Sequence, residues 1–290
     1  MIWARPGGSA ANTAAWLAGV GQPVDFIGVV GTGDSERHAR ALPGVDTYLR
    51  EHPTLPTGRI VIIVRGDQRD MLTDRGANRA LRPEDIPDER LDAARLLHFT
   101  GHVLLDDAGF DGVRRLIERC HAAEVLVSVS AGSASLLDDL GPGRVRAALE
   151  GTDFLFAGYD EGRLLTGFDN PDAIAQDLAR QFQIVLVTQG RLGATVAEGM
   201  TVFSVAAAPS EAADPTGAGD AFCAGFLHKW LAHSDTRMAA RVGAALAAEA
   251  VKITGGRPPR GRVFSNLFGL NPGSVPTESN GSPRRKRAGK

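Results

Sequence analysis

Two cysteines in 290 residues, Cys120 and Cys223, are too few for a disulfide framework, and neither belongs to a CxxC pair. They read as buried small apolar groups rather than metal ligands, which suits a reducing, cytoplasmic setting. Charge is nearly balanced at −2, so no global electrostatic attraction to nucleic acid or to a membrane surface is expected. No apolar run approaches the roughly 18–20 residues of a membrane-spanning helix. The start, MIWARPGGSAAN, lacks the apolar core of a signal peptide. GxxxxGK[ST], a GxGxxG after a strand, HExxH and GxSxG are all absent. Walker, dinucleotide, zincin and nucleophile-elbow chemistries are therefore excluded on motif grounds.

What is present is a 43% apolar chain, ample for one large α/β core. Short runs rich in Val, Ile, Leu and Phe at 24–30, 59–65, 95–99, 125–129, 153–157 and 184–188 predict strands. Several are apolar throughout, as in parallel strands buried on both faces. Helix patterns at 9–18, 108–123, 144–150, 160–166, 171–182 and 239–253 lie between and after them. The alternation predicts a layered α/β domain with a mostly parallel sheet. Residues 56–72 break the rhythm: two extended stretches flank Gly66-Asp67 and predict a hairpin, either a lid over a site or an edge of the main sheet. Residues 266–290, rich in Pro, Gly and Ser and ending in basic residues, read as a disordered solvated tail.

Two glycine-led helix starts carry the chemistry. In DPTGAGDAF (214–222), Gly217-Ala218-Gly219 precede an apolar helix. First-turn N–H groups have no intrahelical partner, small residues admit close approach, and the helix dipole favours an anion. Together these suit a phosphate. Asp220, beside that site, is either a helix cap or a general base for an alcohol attacking the phosphate. Local sequence leaves the two open. At the other end, Gly7-Gly8 lead into a helix bearing Asn12, whose amide could both donate to and accept from a polyol.

The order of these stretches is specific. PGGSAANTA followed by GxxVxFIGxVG, and DPTGAGDAFCAGF, are similar to the two signatures of the ribokinase-like, phosphofructokinase B-type carbohydrate kinase family. PTG (56–58), RDMLTDRGAN (69–78), HFTGHVLL (98–105), DEGRLLTG (160–167), VTQGRLGA (187–194) and ITGGRPP (253–259) match between and after them, so the resemblance covers residues 5–265. It implies a three-layer α/β sandwich with a mostly parallel central sheet and a small β lid. The implied activity is transfer of the γ-phosphoryl group of ATP to a hydroxyl of a small sugar or polyol. The alternatives are a nucleoside kinase of the same fold or a non-catalytic binding relative.

By position, Asp220 would be the base, and Gly217, Ala218 and Gly219 would offer N–H groups to the transferring phosphoryl. Gly7, Gly8 and Asn12 would line the acceptor pocket, while Thr188, Gly190 and Gly193 would contact the nucleotide. Glu161 would hold Mg²⁺ through water, and Asp214 and Thr216 would bind a monovalent cation, K⁺ in many members. The family also has homodimers joined through the lid. Three departures stand out. Members carry some thirty to forty residues ahead of the first glycines, forming the first central strand, part of the lid and an acceptor-binding aspartate; the expectation here is a truncated reading frame. Gly158 stands where the Asn-x-x-Glu motif has Asn, and Ser130 stands where many members have Asp.

Overall fold

The computed structural model of the chain describes residues 5–65, 68–106, 108–211 and 213–264. The expected tail at 266–290 and the Gly66-Asp67 turn lie outside them. In chain order the elements begin with α1 (Ser9–Gly19), β1 (Asp25–Gly31), α2 (Ser35–Arg40) and β2 (Asp46–His52). The hairpin β3 (Thr57–Arg65) and β4 (Gln68–Gly76) follows. Next come α3 (Asp88–Ala93), β5 (Leu96–Thr100), α4 (Gly109–Ala122), β6 (Leu126–Ser130), α5 (Ala134–Leu140) and α6 (Pro142–Ala148). The chain continues through β7 (Phe154–Gly158), α7 (Tyr159–Thr166), α8 (Pro171–Leu178), β8 (Ile184–Thr188), β9 (Ala194–Glu198) and β10 (Thr201–Val205). It closes with α9 (Ala218–His233) and α10 (Thr236–Ala250).

The central sheet has the order β10-β9-β8-β7-β6-β5. Strands β5 to β8 run parallel, while β9 and β10 return antiparallel. Side chains alternate across a strand, so each run that is apolar throughout feeds two cores. Leu155, Ala157, Val185 and Val187 meet α4 to α8 on one face. Phe154, Phe156, Ile184 and Leu186 meet α9 and α10 on the other. This is the expected three-layer sandwich. On the second face, Phe154 stacks edge-on against Trp230 at 4.7 Å and Phe156 against Phe226 at 5.5 Å. Each fully buried ring of this kind contributes about 1.5–3 kcal/mol, and together they fix α9 over β7. The cysteines Cys120 and Cys223 are both free and buried.

Two smaller sheets stand beside the main one. Strands β1 and β2 pair parallel, and β3 and β4 form an antiparallel hairpin separate from the central sheet. The hairpin is therefore not an edge of that sheet. It leaves Ile60, Val61, Ile62, Met71 and Leu72 exposed. Between β1 and β5 lies a cavity of about 510 Å³, bordered by Phe26 and Ile27 on one side, Leu96 and His98 on the other, and Leu17 and Leu116 from the helices. Among the described residues no strand bridges those two edges. Helix α1 spans the gap: Ala11, Ala14 and Ala15 pack with Leu42, Val45 and Phe26 beside β1 and β2, while Trp16 packs with Ala221, Ala224 and Leu246 of α9 and α10. No helix among the described residues is long and apolar enough to cross a membrane.

Candidate active site

The N-terminus of α9 lies over the C-terminal ends of β6 and β7, where open parallel sheets bind their ligands. Phe222, in the first turns of α9, contacts Phe156 near the end of β7 with ring centroids 6.5 Å apart. Gly217 is the residue before the helix and takes the left-handed conformation at φ 80°. A Cβ there would fall 2.5 Å from Gly256 Cα, so the turn accepts only glycine. At Gly219, by contrast, a Cβ would meet nothing within 4 Å. That open space lies above first-turn N–H groups that have no intrahelical acceptor. Of the three expected donors, the Ala218 N–H turns to Pro215 O at 3.2 Å, and those of Gly217 and Gly219 remain as the expected donors.

Asp220 lies in the first turn of α9, and its carboxylate is held from outside that helix. Ser9 Oγ donates to Oδ1 at 2.6 Å and Asn12 Nδ2 donates to Oδ2 at 2.8 Å. Both donors come from the first turns of α1, so the two glycine-led helix starts meet at this carboxylate. Burial raises its pKa above the ordinary 3.8, against the lowering effect of Ser9, Asn12 and the Arg257 charge. Desolvation is the larger effect here. The sequence motifs do not single out Ser9, although the hydroxyl next to Gly8 is the available signal. Asn12 is buried, with its amide spanning Asp220 and Arg257 rather than facing solvent.

The nucleotide residues expected from the resemblance cluster at the end of β8. Thr188 pairs in register with Gly158 of β7, and its hydroxyl donates to Ala157 O at 3.4 Å. Gly190 and Gly193 both have positive φ, 57° and 99°, within a tight turn closed by Gln189 N–H donating to Gly193 O at 2.7 Å. A Cβ at Gly190 would meet nothing within 4 Å, leaving room for a ligand.

Glu161 lies in the first turn of α7, with its carboxylate folded back onto the N–H groups of Gly158 and Ala134, and burial raises its pKa. A Cβ at position 158 would collide with Glu161 Oε2. The glycine in place of Asn is thus what lets this carboxylate turn inward. A carboxylate offers about four lone-pair sites, so sites remain for a water-held Mg²⁺. Asp214 accepts from Thr216 N–H and Gly255 N–H, both at 3.0 Å, tying the 214–217 turn to the segment after α10. Among the described residues no cluster of three His, Cys, Asp or Glu side chains is arranged as a metal site. His98 is a core group: its Nδ1 lies 3.0 Å from Ser128 Oγ, and burial draws its pKa down to about 4.

A mostly parallel three-layer sheet, with a glycine turn and a held carboxylate at its C-terminal edge, defines the ribokinase-like class of phosphotransferases. Residues 2–260 match the pfkB family carbohydrate kinase, and the chain belongs to that family, whose members are kinases with a hydroxyl acceptor. An ATP-dependent ribose-1-phosphate kinase of Halopiger xanaduensis is 32% identical over 80% of this chain and 76% of its own length. The adenosine kinase structure from Sinorhizobium meliloti is 25% identical with a TM-score of 0.83, covering 91% of this chain and 83% of that one. An E. coli structure named for ribokinase II, in complex with ATP and Mg²⁺, has a TM-score of 0.78 at 23% identity, covering 88% of both chains.

Proposed function

We propose that this chain transfers the γ-phosphoryl group of ATP to a hydroxyl of a small sugar or polyol, with Asp220 as general base. The carrying observation is the Asp220 carboxylate, held by Ser9 and Asn12 beside the open space over Gly219. ATP would supply the phosphoryl group, and Mg²⁺ would offset charge on its phosphate oxygens. The protein's part is positioning and proton removal. Asp220 takes the proton from the acceptor oxygen, whose new bond is to phosphorus. The Gly219 N–H at the positive end of α9 favours the charge on the transferring group. Thr188, Gly190 and Gly193 cradle the nucleotide, while Gly7 and Gly8 form the floor of the acceptor pocket. Glu161 would hold Mg²⁺ through water.

The test is ADP release by purified protein across a panel of sugars, sugar phosphates, polyols and nucleosides. Turnover with a sugar or polyol is the expected result. Turnover confined to nucleosides would replace the acceptor class, and ADP release with no acceptor in the panel would sink the reading. Because burial raises the Asp220 pKa, the acidic limb of the rate should lie above the ordinary aspartate value of 3.8. A second prediction concerns the metal. Gly158→Asn should push the Glu161 carboxylate outward and lower the Mg²⁺ concentration for half-maximal rate several-fold. An unchanged Mg²⁺ titration would show that Glu161 does not serve the metal.

A further inference from the structure

Residues Thr254–Arg257 lie as a strap across the catalytic turn. Gly256 backs onto Gly217, its carbonyl accepts from Trp16 Nε1 at 2.9 Å, and a Cβ on it would collide with the Asn12 amide. Arg257 reaches from this strap into the acceptor side. Its Nε donates to Asn12 Oδ1 at 3.2 Å, Nη1 to Ala41 O at 3.0 Å and Nη2 to Gly7 O at 2.7 Å. All three acceptors are neutral. Among the described residues Arg257 has no ion-pair partner, which is costly for a partly buried guanidinium, and burial draws its pKa down to about 10 even with the Asp220 charge opposing that shift.

The bond to Asn12 has a directional consequence. An amide has nearly the same outline when turned over, but its two ends differ chemically. Arg257 can only donate, so it holds Asn12 Oδ1 on its own side and leaves Nδ2 to face the Asp220 carboxylate. With the amide reversed, an oxygen would face that carboxylate. The same guanidinium gathers the Gly7 loop and the end of α2 around the pocket.

We propose that Arg257 is a positioning residue for phosphoryl transfer: acting through Asn12, it orients the amide that holds Asp220 and assembles the acceptor pocket around it. This rests on Asp220 being the base. The other groups facing the pair are few among the described residues. Ser9 is neutral, and Cys223 on α9 is a neutral thiol whose pKa burial pushes well up. His38 on α2 faces Arg257, and its pKa is lowered by burial and then by Arg37.

The test compares Arg257→Gln, Arg257→Lys, Asn12→Ala and the double variant Arg257→Gln/Asn12→Ala, with melting curves confirming that each is folded. Arg257→Gln should lower kcat/KM for the acceptor about tenfold at neutral pH, equivalent to about 1.4 kcal/mol, and move the acidic limb to higher pH with KM for ATP unchanged. Arg257→Lys should return the limb towards its wild-type position. Because part of the effect of Arg257 passes through Asn12, the double variant should fall well short of the product of the two single losses. Losses that multiply, or a limb that stays in place in Arg257→Gln, would overturn the proposal. Carbon-13 NMR titration of the Asp220 carboxyl reads the same interaction without turnover. Its midpoint should rise in Arg257→Gln and stay near wild type in Arg257→Lys. A wild-type protein inactive on every acceptor would count against the kinase reading alone, whereas an unmoved carboxyl midpoint in Arg257→Gln would count against the role of Arg257.

Discussion

Asp220→Asn is expected to lower kcat about a thousandfold, within the range a general base supplies, while the protein melts at a higher temperature than wild type. The loss follows from basicity: an amide cannot take the proton of the acceptor hydroxyl. The gain follows from burial. Asn fills the same outline, and its oxygen can accept from Asn12 Nδ2 while its NH₂ donates to Ser9 Oγ, which accepts as readily as it donates. Since burial raises the Asp220 pKa, the folded state holds that proton more tightly than the unfolded state. Ionisation therefore subtracts stability as pH rises through the folded pKa, and below the unfolded pKa this cost is absent. The melting gap between variant and wild type should be open at neutral pH and close on acidification. Wild-type turnover in the variant would remove Asp220 as the base, and equal melting at every pH would remove the desolvation argument.

Gly217→Ala and Gly219→Ala, two residues apart, should move stability in opposite directions and activity in the same one. At Gly217 an alanine must adopt φ 80° and place its methyl 2.5 Å from the Cα and 2.6 Å from the carbonyl oxygen of Gly256. The left-handed conformation alone costs about 1–2 kcal/mol, and the obstacle is backbone, which cannot rotate away. A total loss of about 3 kcal/mol is expected, with the strap displaced from the catalytic turn and kcat down about a hundredfold. At Gly219 the helix is already regular and nothing lies within 4 Å of the new methyl. Alanine should stabilise the first turn by about 0.5–1 kcal/mol. The methyl also enters the space assigned to the phosphoryl group, so kcat/KM should fall about a hundredfold. Denaturant unfolding alongside initial rates checks both. A stable and fully active Gly219→Ala would move the phosphoryl group elsewhere.

The strands of the central sheet were legible because burial on both faces leaves an apolar run with little else in it, as at β7 and β8. Strand β2, DTYLREH, was not, because a polar, partly exposed strand paired on one edge lacks that signature. Strand β9, ATVAE, carries two alanines and little β propensity; its place is set by pairing with β8 and β10. The site divides in the same way. Gly217 declares itself in the sequence, since a turn at φ 80° demands glycine. Ser9 and Arg257 act on partners 211 and 245 residues away, a relation no local pattern contains. Glu161 was expected to face a metal, but its inward turn depends on the missing Cβ at Gly158 and on the position of Ala134.

Among the described residues no backbone ladder crosses from β1 to β5, and α1 packs one flank beside β1 and β2 and the other on α9 and α10. That helix behaves like a rivet through a lap joint: its shank of alanines clamps two plates, and its head, at Ser9 and Asn12, grips Asp220. Mechanical integrity and catalytic alignment are then a single property. A wedge driven in halfway down the shank, for example bulk at Ala14, would register at the rivet's head as longer bonds to Asp220. Distance from the reacting atoms would be no protection along this helix.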